Sequence, residues 1–252
     1  LHHDKIKKII NYKNAWLKVY DKPILYFPKF FHPDPTVKRQ SGFLMPMLSS
    51  SNNLGNYLSV PYFYVISDNK DLTFTPRFYD KQKTIYQTEY RQANKSSDHI
   101  IDFSILNKSR LLLEKNKTQG THFFAKSNFD TDISFFESSK INFNFQQVSE
   151  DNYLKTHKLK SPLINNETVL NSKIELEGSN KNLNLNVYTE VYEDLSKEDS
   201  DRYEYIFPSY SLTKYFESSL EGELSFTSSG NNKLYDTNVS KKTMTNDLNY
   251  HS

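Results

Sequence analysis

The sequence predicts an all-β chain, most of it the antiparallel strands of a membrane-spanning barrel, and three observations carry that expectation. The first is composition. Of 252 residues only 36% are hydrophobic and the mean hydropathy is −0.74, yet 18 Tyr and 18 Phe lift the aromatic share to 15%. Polarity of this degree approaches that of disordered chains, which lack such aromatics. A sheet closed around a wet interior needs apolar residues on one strand face only, so it can span a bilayer at low average hydropathy. The second is a period of two in segments of about ten residues, the length a tilted transmembrane strand needs. The third is the alternation of short polar turns (Ser67 to Lys70, Asp80 to Lys83) with longer loops (Glu150 to Thr168, Asp194 to Arg202), with tyrosines gathered near strand ends.

A soluble sandwich or β-helix would show the same alternation with its apolar face buried, and periodicity alone does not separate these from a barrel. Turn lengths and tyrosine placement favour the barrel. The six glycines count against it, Asn and Ser taking over the turns.

In chain order, Lys8 to Tyr20 alternates Ile10, Tyr12 and Trp16 with lysines and asparagines, which predicts two short strands. A turn at Asp21-Lys22-Pro23 leads into an aromatic strand, Ile24 to Phe27. Three strands do not make a domain alone, so they read as the last part of a small β-domain beginning before Leu1. Pro23, Pro28, Pro33, Pro35 and Pro46 then punctuate a stretch too rich in Phe, Tyr and Leu for a flexible linker. It is expected to be a structured connector. Leu54 to Ile66 follows as a strand, then Asp71 to Tyr79, where Leu72, Phe74, Pro76 and Phe78 oppose Asp71, Thr73, Thr75 and Arg77, and then Thr84 to Arg91. Further on, Ile101, Phe103 and Ile105 oppose Asp102 and Ser104, and Ile141, Phe143 and Phe145 oppose Asn142, Asn144 and Gln146. Leu183, Leu185, Val187 and Val191 oppose Asn182, Asn184, Asn186 and Glu190, and Leu220, Leu224 and Phe226 oppose Glu221, Glu223 and Ser225. No helical period competes, apart from Ser109 to Glu114, which suits one helical turn or part of a strand. The chain stops at Asn246 to Tyr250 without a terminal strand signature, so its last strand is expected to be an open edge.

Chemistry is sparse. The net charge of +2 argues against a nucleic-acid footprint, and no Cys is present to form disulfides or thiolate metal sites. His2-His3-Asp4 and His32-Pro33-Asp34 lack a second cluster at ligand spacing, and they are expected to be exposed polar residues. No nucleophile elbow, zinc-protease, P-loop or dinucleotide fingerprint appears, so the sequence predicts neither enzyme, metal site nor cofactor. The chain has no initiator Met, no signal peptide and no run of 18 apolar residues, which predicts a piece of a longer exported precursor. Lys38-Arg39 could meet phosphate groups at a membrane surface or stand as solvated loop charges. Pro61 and Pro76, fifteen residues apart, each delete a ladder hydrogen bond; they are either edge or bulge prolines or a seam built to open.

The stretches P-I-L-Y-F-P-K-F-F-H-P-D-P-T-V-K-R-Q-S-G-F-L-M-P (Pro23 to Pro46), V-P-Y-F-Y-V-I-S-D-N-K-D-L-T-F-T-P-R-F (Val60 to Phe78) and E-Y-R (Glu89 to Arg91) resemble the LptD lipopolysaccharide-assembly family of the Gram-negative outer membrane, in its alphaproteobacterial form. Val148 to Leu154, Val191 to Ser196 and Asp201 to Pro208 add weaker echoes. The resemblance implies the end of a periplasmic β-jellyroll over residues 1–31, a proline-rich neck over 32–53, and the first part of a large transmembrane β-barrel over 54–252. It implies that Pro61 and Pro76 sit in a lateral gate between the barrel's first and last strands. It also implies that Pro23, Pro28, Pro33, Pro35, Lys38, Arg39, Ser41 and Gly42 build the neck. The partners implied are lipopolysaccharide, outer-membrane lipids, an LptE-like lipoprotein plug and an LptA-like periplasmic bridge protein. The location implied is the outer membrane, with a periplasmic N-terminal part. A passive or substrate-specific porin and a soluble β-sandwich binding module are the alternative functions.

Overall fold

The computed structural model describes residues 2–4, 9–19, 21–33, 39–51, 55–80, 83–108, 120–216, 222–235 and 239–251. The Ser109 to Glu114 segment lies outside them. The chain is all-β and divides into two compact units, Leu1–Thr88 and Glu89–Ser252.

In the first unit β1 (His2–Asp4), β2 (Ile9–Val19) and β3 (Lys22–Pro33) form a three-stranded antiparallel sheet in that order. Two short strands were expected before the turn. The structure has one strand with an irregularity at Asn14, which takes a positive φ of 54° that Asn tolerates and accepts a hydrogen bond from Tyr26 Oη at 2.7 Å. The turn falls at Asp21 as expected, again with positive φ. β3 runs on through Pro28 to Pro33 instead of giving way after Phe27. It is an edge strand, and edges tolerate prolines because missing donors on the outer side disrupt no ladder.

The first unit continues with β4 (Gly42–Phe43), β5 (Met47–Ser51), β6 (Gly55–Ser59), β7 (Tyr62–Ser67) and β8 (Lys70–Tyr79). β4 pairs with β7 and β5 with β6, while β8 pairs with both β7 and β6, all antiparallel. Leu54 to Ile66 is therefore two strands in line, parted at Val60-Pro61. The next strand, β9 (Lys83–Ala93), runs across the division between the units.

The second unit is an antiparallel meander of β10 (Ser97–Lys108), β11 (Thr121–Thr131), β12 (Ser138–Val148), β13 (Val169–Asn180), β14 (Leu183–Asp194), β15 (Tyr203–Phe216), β16 (Glu223–Tyr235) and β17 (Val239–His251), each paired with the next. Register makes the alternation two-dimensional. One row across all eight strands reads Asp98, Asn128, Asn142, Glu175, Tyr188, Ser209, Asn231 and Thr243. The adjoining row on the opposite face reads Ser97, Phe129, Ile141, Leu176, Val187, Tyr210, Gly230 and Met244. A one-residue slip would exchange the faces, so the pattern fixes the register.

The apolar face is open: Phe103, Phe123, Phe129, Ile174, Phe216, Met244 and Leu248 are exposed. A sandwich would bury such a face against a second sheet. Several of the buried apolar side chains, Tyr153, Leu154, Leu159 and Leu163, come instead from the loop after β12, which contains the one-turn helix α1 (Tyr153–His157). β17, which includes Asn246 to Tyr250, is the edge of the meander, and its residues are exposed throughout.

Candidate functional site

The first site is the proline-interrupted ladder of the first unit. Register is the same on either side of the break, Tyr62 opposite Phe74 and Ser59 opposite Arg77, so Val60 faces Pro76 and Pro61 faces Thr75. The Val60 N–H donates to the Pro76 carbonyl at 3.2 Å, and Pro76 has no N–H to return. Asp80 N–H likewise donates to the Asn56 carbonyl, so even-numbered residues of this strand bond toward β8 and odd-numbered ones toward the other neighbour. Pro61 accordingly takes a bond from Leu44 N–H at 2.9 Å and gives none back. The two prolines weaken two different seams at one level: Pro76 the seam between β6–β7 and β8, Pro61 the seam between β4–β5 and β6–β7.

A third proline lies at the same level. Phe43 is opposite Tyr62 and Met47 opposite Ser59, which leaves Met45 and Pro46 facing Val60 alone. Two residues against one is a β-bulge. Pro46, Pro61 and Pro76 thus interrupt three neighbouring strands in a row. Sequence reasoning placed Pro46 in the connector; the fifteen-residue spacing that it shares with the other two was the available signal.

Of the expected neck residues, Pro23, Pro28 and Pro33 lie within β3, and Pro35 and Lys38 fall outside the described residues. Arg39 pairs with the buried Asp71 carboxylate and donates to the Asp68 carbonyl, at the tip of the β7–β8 hairpin. Ser41 Oγ accepts the Val65 N–H at 2.8 Å, an odd-numbered donor that points to the β4 side just beyond the end of β4, and Gly42 is buried opposite Phe63.

The second site is the polar face of the second unit. Glu175 accepts from Lys173 Nζ and Asn186 Nδ2, each at 2.9 Å, and Asn171 Nδ2 donates to Glu190 at 2.6 Å. Asn171, Lys173 and Glu175 line an open groove of about 620 Å³ together with Lys126, Lys140 and Glu177. Charges of both signs and amides make this groove suited to water and polar solutes, with Phe143, Pro162 and Leu163 as its apolar lining.

The loop after β12 covers one end of this face. Tyr153 Oη meets Ser104 Oγ at 2.8 Å; Ser104 Oγ lies 2.6 Å from His122 Nδ1, and His122 Nε2 lies 3.4 Å from Asp102 Oδ2. Ser104, His122 and Asp102 stand in a nucleophile–base–acid order, but all three have zero exposure beneath Tyr153. Their polar atoms therefore hold the loop down rather than meet a substrate. Ser104 and Asp102 were legible as a polar strand face; the pairing with a loop tyrosine 49 residues away was not. Gln146 Nε2 adds a bond to the Leu163 carbonyl at 2.7 Å. Arg202, at the end of the 3₁₀ turn Asp199–Arg202, reaches Asp151 and Glu193 at 2.7 Å each and so ties this loop to the next. Among the described residues no group of three or more His, Cys, Asp or Glu is placed to hold a metal ion. No helix among them is long and apolar enough to cross a membrane, which says nothing of strands.

No protein-family model matches the chain. It is similar to a segment of LPS-assembly protein LptD from several bacteria: 30% identical over 152 residues to that of Legionella pneumophila (strain Lens), 57% of this chain and 18% of the relative. It is 33% identical over 141 residues to that of Pseudoalteromonas translucida (56% and 18%), and 26% identical over 193 residues to that of Idiomarina loihiensis (75% and 24%). The chain thus aligns with less than a quarter of the length of these relatives.

Proposed function

We propose that this chain, similar to a segment of LPS-assembly protein LptD, is the end of a periplasmic jellyroll (1–31), a neck (32–53) and the first strands of an outer-membrane barrel (54–252) that delivers lipopolysaccharide to the outer leaflet. The observation that carries this is the second unit's division into a mainly polar row and an adjoining, mainly apolar row on neighbouring residues, with Phe129 and Met244 exposed on the second. A lipid with a charged sugar head cannot take its head through hydrocarbon, so it needs a wet face for the sugars and an apolar way out for the acyl chains. The strand faces offer the first, and the two adjoining seams weakened at Pro61 and Pro76 offer the second. Arg39, Ser41 and Gly42 dock the neck on the β7–β8 hairpin, and Pro23, Pro28 and Pro33 lie in the strand that leads into it. An LptE-like lipoprotein in the lumen and an LptA-like bridge protein at the periplasmic end are the partners this function needs.

The test is depletion of the full-length protein in its own cells, reading lipopolysaccharide at the surface. Loss of surface lipopolysaccharide is expected. Unchanged lipopolysaccharide together with lost uptake of small solutes would replace this function by a porin's, and recovery of the protein from the aqueous fraction without detergent would sink both.

A further inference from the structure

The turn between β11 and β12, residues 132–137, is fastened to β13, the strand beside its own hairpin. Glu137 N–H donates to the Ser179 carbonyl at 2.9 Å, and Asn180 Nδ2 donates to the Phe135 carbonyl at 3.2 Å. The Phe136 ring lies over Gly178, where a Cβ would fall 2.7 Å from three ring carbons, and it takes Phe135 edge-to-face with ring centroids 5.1 Å apart. A turn held this firmly still leaves Phe135 64% exposed. A single exposed Phe is ordinary on a protein surface, but this one prolongs an open face. Gly178 alternates with Leu176 and the exposed Ile174, so the two rings carry the apolar face of the meander past the end of its strands. Between residues 130 and 140 the chain sets Asp130, Asp132 and Glu137 against Lys140 alone, and Lys140 stands 3.8 Å from Asp130. The rings are therefore rimmed by carboxylates.

We propose that Phe135, braced by Phe136 on Gly178, is a lipid anchor that seats this end of the strands in a leaflet of ammonium-bearing, zwitterionic headgroups, the chemistry of phosphatidylethanolamine. The ring enters the boundary between headgroups and acyl chains, about 5–10 Å deep. Asp132 and Glu137, both exposed, then lie at headgroup level, where ammonium groups complement them and an anionic surface repels them. That the apolar face meets lipid rests on the function proposed above; the anchor and its headgroup preference go beyond it.

The test places one nitroxide at a time on the full-length protein, through a single reactive cysteine, in vesicles of phosphatidylethanolamine and phosphatidylcholine. The readout is the ratio of collision with oxygen, which dissolves in lipid, to collision with a water-soluble nickel chelate. The label of Phe135→Cys should show a ratio about threefold or more above that of Ser134→Cys, its exposed neighbour, and Val187→Cys in the apolar row supplies the lipid reference. A Phe135 label that reads as Ser134 does, beside a lipid-like Val187, overturns the anchor and leaves the barrel standing. A Phe135 label shielded from both reagents means a protein partner and overturns it too. Water-like readings at both positions remove the barrel assignment and the anchor with it. Gly178→Ala displaces the Phe136 ring and should bring the Phe135 ratio down toward that of Ser134; an unchanged ratio overturns the bracing. Replacing the phosphatidylethanolamine by phosphatidylglycerol should lower the ratio in the otherwise unaltered protein, and Asp132→Asn/Glu137→Gln should restore it. A ratio indifferent to that exchange overturns the headgroup preference.

Discussion

Val60 and Pro76 face each other across the β6–β8 ladder joined by one hydrogen bond of 3.2 Å where an ordinary pair would share two. Replacing Pro76 by Val restores a donor for the Val60 carbonyl, and replacing Pro61 by Val restores one for Leu44. Each bond is worth about 0.5–1.5 kcal/mol, partly offset by the conformational freedom that the unfolded chain regains when a proline is lost. Melting should therefore shift little while the seams tighten locally. The double variant is expected to deliver lipopolysaccharide to the surface more slowly than wild type in a pulse-chase; equal rates would count against any gating by this row.

Tyr153 fastens the loop after β12 through Ser104, and Gly120 makes room for its ring: a Cβ at Gly120 would lie 2.7 Å from Tyr153 ring carbons. Tyr153→Phe removes one buried bond, an expected loss of about 1 kcal/mol, while Tyr153→Ala empties a fully buried site at about 3–5 kcal/mol. Gly120→Ala should resemble the second more than the first. Limited proteolysis between 149 and 168 reads the difference, with rapid nicking expected for Tyr153→Ala and Gly120→Ala.

The strands and the polarity of their faces were legible because a period of two survives in the residues themselves, as in Ile141 to Gln146. Long-range matching was not. Nothing local in Tyr153 announces Ser104, and although Pro61 marks Leu54 to Ile66 as interrupted, only the facing strand shows that Pro76 withholds the bond at Val60. The extension of β3 through Pro28 escaped for the converse reason: proline excludes a central strand, and only the sheet order shows that this strand lies at an edge.

Arg202 and Asp151 link the two long loops, and the hydrogen bond from the guanidinium holds the Asp151 carboxyl below the ordinary carboxylate range. A carboxyl whose folded pKa is depressed contributes stability that is present above its unfolded value, near about 4, and is lost as pH falls through the lower folded value. Asp151 is half-exposed, so solvent screens the pair and the effect is local rather than global. Nicking of the loop after β12 by an acid-active protease should rise below about pH 4, and Asp151→Asn should nick readily at all pH values tested. A wild-type rate that does not change with acidification would show that the link does not restrain the loop.

Asn186 and Val187 are neighbours on β14 that point to opposite faces, which makes them the most direct check on the membrane assignment. Asn186 donates to Glu175 and sits near Glu177, so Asn186→Arg places a cation beside two carboxylates on the polar face. Val187 lies between Leu176 and Tyr210 in the apolar row, near the middle of its strand. If that row meets lipid, Val187→Arg puts a charge near the bilayer midplane at about 2–4 kcal/mol, whereas a residue on a wet lumen costs little. The expected outcome is normal outer-membrane assembly of the full-length Asn186→Arg protein and markedly reduced, less heat-resistant Val187→Arg protein. The charge should be tolerated again when the protein is refolded into thinner bilayers, which bring the site closer to the interface. Equal assembly of both variants would mean that the apolar row faces water or protein, and the barrel assignment would fall with it.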